Sequence, residues 1–91
     1  MMHRNEEFLL RRVAGMTVIL PVGKASETFP GMISVNETGE FLWELLKTEQ
    51  TLSALTAAMT ESYQVEAEQA EADIRAFLER LAAAGAVMGW A

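Results

Sequence analysis

Residues 31–46, GMISVNETGEFLWELL, constrain this chain more than any other stretch, because a β-capable run and an amphipathic helix meet there with no linker. Asn36 is a good N-cap: its side-chain oxygen accepts an amide proton of the first turn, and Glu37 and Glu40 set negative charge against the positive helix end. At 3.6 residues per turn Glu37, Glu40, Glu44 and Lys47 share one stripe, leaving Phe41, Leu42, Trp43, Leu45 and Leu46 spread over roughly 200° of circumference. A helix this widely apolar packs on more than one side. Gly39 in its first turn costs about 1 kcal/mol of helix propensity relative to alanine, so a close backbone neighbour that a Cβ would push away is expected there.

Upstream, FLLRRV at 8–13 and MTVILPV at 16–22 flank Ala14-Gly15 and read as a hairpin with a tight turn. Pro21 donates nothing to a ladder, so the second strand either ends at Leu20 or shows that amide position to solvent. Residues 23–31, GKASETFPG, read as a polar loop leading to a third strand at 32–35. Downstream, Thr51 is a second N-cap, and Leu52, Leu55, Met59 and Tyr63 recur at helical spacing to the end of a second helix near Tyr63. From 67 to 84 the apolar positions Ala70, Ile74, Phe77, Leu78 and Leu81 fall within one arc. Gly85 is placed to be the left-handed residue after that helix, with Ala86 in contact with Leu81. The tail AVMGW either adds a short strand or covers the core with Val87 and Trp90.

Three strands followed by three helices make an α+β fold, a three-stranded antiparallel sheet whose one apolar face is closed by helices. In its winged helix-turn-helix form the sheet is the wing and the last two helices are the helix-turn-helix pair. Ninety-one residues with 51% apolar content suit a single domain, 1–91, with a small core. Without cysteine there are no disulfides, thiolate metal sites or cysteine nucleophiles. The opening MMHRNEE and the early Arg11-Arg12 exclude a signal-peptide core, and no run approaches a membrane span, so a cytoplasmic protein is expected. The net charge of −6 has the wrong sign for a protein that neutralises phosphates, so nucleic acid is not an expected partner. His3, the sole imidazole, stands in a terminal segment expected to be mobile, and no carboxylate pair or cofactor motif stands out. An enzyme acting alone is the weakest class.

The run Val35-Asn36-Glu37-Thr38-Gly39-Glu40-Phe41-Leu42-Trp43-Glu44-Leu45-Leu46 resembles PqqD-like proteins, in which a hydrophobic residue and Asn-x-Thr-Gly precede an aliphatic-Trp-x-Leu-aliphatic segment. The likeness extends over nearly the whole chain, including Phe77-Leu78-Glu79-Arg80-Leu81 and Gly85. It implies a winged helix that works as a RiPP recognition element, a non-catalytic chaperone without cofactor. Such a protein captures the leader of a ribosomally made precursor peptide and presents it to a modifying enzyme, often of the radical SAM type. The implied mode is strand addition at Gly31, Met32, Ile33, Ser34 and Val35, with Asp73, Arg75, Phe77, Leu78 and Arg80 of the last helix facing the groove.

An exposed strand edge suits that mode, since unpaired N–H and C=O groups pair with another chain, and no charged residue guards 32–35. On that strand Met32 and Ser34 point one way and Ile33 and Val35 the other. Ile33→Pro is expected to remove one ladder donor and weaken docking. Each residue also has an ordinary reading. Trp43, Phe77 and Leu78 suit a core, Arg75 and Arg80 suit solvated flanks of the last helix, and Glu66, Glu68, Glu71 and Asp73 suit its positive end. The competing functional class is a winged-helix regulator that binds DNA or forms a homodimer through the same edge; four carboxylates at the start of the last helix oppose the DNA version.

Overall fold

The computed structural model describes residues 1–28 and 31–90. The elements run β1 (His3–Arg4), β2 (Phe8–Val13), β3 (Met16–Pro21), α1 (Ala25–Thr28), β4 (Ile33–Ser34), α2 (Glu37–Leu45), α3 (Leu52–Ser62), α4 (Ala67–Ala84) and β5 (Val87–Met88). They form an α+β fold with an antiparallel three-stranded sheet in the order β2-β3-β4 and an antiparallel two-stranded sheet, β1-β5. An arrangement of this kind is compatible with a winged helix.

The hairpin β2–β3 closes through Ala14 and Gly15 at φ 52° and 82°. Left-handed conformation at both central residues is what a two-residue hairpin turn needs to match the strand twist. Pro21 lies inside β3, opposite Phe8. Its missing N–H faces the β4 side of the sheet, because Val22 donates across the ladder to the Glu7 carbonyl at 2.8 Å and alternate residues of an antiparallel pair face opposite ways. The β3–β4 pairing accordingly reaches no further back than Ile19 opposite Ile33.

Thr17, Val18 and Ile19 of the central strand are all buried. Ile19, Ile33 and Phe8 join Leu42, Trp43 and Leu46 of the α2 segment, Leu55 and Met59 of α3, and Ala70, Ile74, Phe77, Leu78 and Leu81 of α4 in one core. The apolar arc anticipated on α4 is thus the face that packs. Gly85 follows at φ 81°, and the Ala86 amide donates to the Leu81 carbonyl at 2.8 Å, which closes the helix.

Three local expectations need correction. The polar loop holds one helical turn, α1, where Ser26 and Glu27 donate to the Gly23 and Lys24 carbonyls and Ala25 is buried. The third strand is shorter than 32–35, although Val35 still donates to Thr17 at 3.0 Å; Gly31 and Met32 lie outside it. His3 sits in β1 opposite Met88, with Nδ1 3.1 Å from a Glu49 carboxylate oxygen, so it is tied down rather than mobile. No helix among the described residues is long and apolar enough to cross a membrane.

Candidate peptide-docking groove

The join between β4 and α2 is built by Asn36. Its Oδ1 accepts both the Gly39 amide and the Thr38 hydroxyl at 2.9 Å, so one side chain caps the helix while Thr38 fixes its rotamer. Gly39 is buried, and a Cβ on it would stand 3.0 Å from Val35 Cβ and 3.3 Å from Phe77 Cε1. The close neighbours are therefore side chains rather than the expected backbone. Asn-x-Thr-Gly acquires a physical meaning here: Asn and Thr set the helix start, and Gly lets α4 close on it.

Beside this join runs a groove. One part, about 360 Å³, is lined by Ser34, Val35, Asn36, Phe77 and Arg80; the next, about 280 Å³, continues past Thr38, Gly39 and Leu42 to Met59, Asp73 and Ala76. Thr38, Met59 and Ala76 were not among the residues anticipated from sequence, because nothing local marks a groove wall assembled from three helices.

Of the five α4 residues considered, the structure brings three to the groove. Phe77 is 7% exposed and forms part of its floor, with Asp73 and Arg80 on either side. Leu78 is fully buried in the core and offers a ligand no surface. Arg75 lies five residues and about 140° around the helix from Arg80. It donates to Glu71 at 3.3 Å and stacks over Trp90 at 5.8 Å, so the groove does not include it.

On the strand side, β4 pairs with β3 on one margin only. Since the Val35 amide bonds Thr17, alternation turns Val35 and Ile33 toward β3 and turns the Ser34 amide and carbonyl outward. The donor that Ile33→Pro would remove therefore belongs to the protein's own β3–β4 ladder, and the outward-facing N–H of β4 is that of Ser34. Met32 is 56% exposed at the head of the edge, and Ile33 is buried. The outward Ser34 carbonyl is not bare, for Arg80 donates to it at 2.8 Å.

Trp43 is 3% exposed and belongs to the core, with the Arg4 guanidinium 5.5 Å from its ring and donating to its carbonyl at 3.0 Å. Among the described residues no cluster of three or more His, Asp or Glu is placed to hold a metal ion.

A family model described as coenzyme PQQ synthesis protein D (PqqD) matches residues 16–87, well over half of the chain. No curated protein matches. Two solved structures share the fold. One is TbiB1 in complex with the TbiA(beta) leader peptide, at TM-score 0.76 and 20% identity over 98% of each chain. The other is a lasso peptide synthetase B1 complexed with its leader peptide, at TM-score 0.72 and 20% identity over 97% of this chain and 98% of that one.

Proposed function

Because the chain belongs to the PqqD family, we propose that it is a non-catalytic chaperone that binds the leader of a ribosomally made precursor peptide by strand addition and hands it to a modifying enzyme. The observation that carries this reading is the one-sided pairing of β4, whose outer margin, at Ser34, opens onto the groove floored by Phe77. An extended peptide laid there gains main-chain hydrogen bonds from Ser34 and places alternate side chains against Phe77 and Met32. The two structural neighbours were both solved with leader peptides bound, which supports a leader peptide as the ligand.

The docking set on this reading is Gly31, Met32, Ser34 and Val35 with Asp73, Phe77 and Arg80, while Ile33 anchors the strand to the core. The whole chain, 1–91, acts as one binding domain in the cytoplasm, and a radical SAM maturase is the partner enzyme. The same margin admits a second copy of the chain, so a homodimer and the leader complex exclude each other.

Ser34→Pro tests the mode directly. Proline at an outward edge position removes only the outward donor and leaves the β3 ladder intact. Synthetic leader peptide is expected to bind Ser34→Pro at least about tenfold more weakly than Ser34→Ala, a difference on the order of one hydrogen bond made to a docked strand, with unchanged circular dichroism. Equal affinity for the two variants would contradict strand addition at β4.

A further inference from the structure

We propose that Arg80 is a removable guard on the β4 margin, and that it selects an acidic side chain in the strand that displaces it. This rests on β4 being the docking edge. An open edge invites pairing with any extended chain, and native sheets blunt such edges with charge. Here β4 carries no charge of its own, and the guard reaches over from α4: the Arg80 guanidinium donates to Ser34 at 2.8 Å across 46 positions of sequence. The opposite margin of the sheet is guarded from within, where Arg11 donates to the carbonyl of its own neighbour Leu10 at 2.9 Å. The two guards differ in what releases them. Arg80 is exposed and, among the described residues, belongs to no ion pair, so the Ser34 carbonyl is its one polar anchor.

An incoming strand completes the ladder by giving its own N–H to that carbonyl, which displaces the guanidinium and leaves it at the groove wall with only water as its partner. A carboxylate on the strand supplies the planar, two-oxygen partner that a guanidinium fits best. A neutral strand returns the guanidinium to water and gains no charge-assisted contact with it. The preference is also confined in position. Asp73, held by Gln69 at 2.8 Å, lies two helical turns before Arg80, about 10 Å along α4, and repels a second acid at that end of the groove. The acidic residue therefore sits near the residue paired with Ser34 and not toward the Asn36 end.

The test is a display library of 12-residue peptides with randomised positions, selected against the full chain, Arg80→Met and Arg80→Lys. Wild type is expected to enrich Asp or Glu about tenfold at a single position, Arg80→Met to lose that preference, and Arg80→Lys to keep part of it. Peptides whose binding is abolished by Ser34→Pro but which show no acidic position, or an acidic preference that survives Arg80→Met, would overturn the selector role while leaving strand docking intact. Failure of every variant to enrich any peptide would overturn strand docking itself, and this proposal with it. Without ligand, Arg80→Met is expected to self-associate at a lower concentration than wild type on sizing, and identical profiles would overturn the guard.

Discussion

Asn36 shows how much one residue settles. Its side chain satisfies the Gly39 amide and holds Thr38, and its backbone follows closely on β4, the strand that pairs on one margin only. Asn36→Ala is expected to cost about 1–2 kcal/mol of unfolding free energy in denaturant titration, with Asn36→Asp far closer to wild type because a carboxylate both accepts the amide and suits the helix end. Equal losses would contradict the capping role. Glu44 offers a second test. The hydrogen bond and charge of Lys47 hold its carboxyl below the ordinary glutamate range, against an opposing effect of desolvation and with the weakest contribution a further downward pull from Arg4. A depressed folded value means that the stabilising contribution is present above the unfolded value and is lost as pH falls through the folded one. Carboxyl NMR of Glu44 is expected to titrate low and to move upward in Lys47→Met, and an unmoved midpoint would sink the assignment. The cap was legible in sequence because it acts over three residues. The Arg80–Ser34 bond was not, because only the fold makes neighbours of residues 46 positions apart.

Among the elements, length decided legibility. The expected 67–84 helix is α4, residue for residue, since eighteen positions hold five turns of apolar repeat, and the Thr51 cap likewise marked α3. β1 and β5 hold two residues each, too few to show a period, and pair across almost the full length of the chain. α1 is a single turn set among glycine and polar residues. The groove was half legible. Phe77 declared itself as part of the α4 arc, but whether its neighbours faced core or solvent followed from how α4 leans on α2, and so Leu78 and Arg75 were placed in a groove that neither lines. The hairpin carries its own test. Ala14 sits at φ 52°, where a Cβ is strained and asparagine is better tolerated, so Ala14→Asn is expected to raise stability by about 0.5–1 kcal/mol. A lower melting temperature would contradict the turn geometry.

For the whole molecule, charge and sheet topology point the same way. A net charge of −6 and the exposed Glu66, Glu68, Glu71 and Asp73 at the start of α4 turn an acidic face to whatever a recognition helix would meet. No retardation of duplex DNA is expected even at low salt, and salt-sensitive retardation would revive the DNA-binding alternative. What the molecule offers instead is an unfinished sheet. The most direct measurement is amide hydrogen exchange at Ser34 with and without saturating leader peptide. The outward Ser34 amide is expected to exchange freely in the empty protein and to become protected in the complex, while the Val35 amide, already bonded to Thr17, changes little. A saturated complex in which the Ser34 amide exchanges as fast as before would show that the peptide does not complete this sheet.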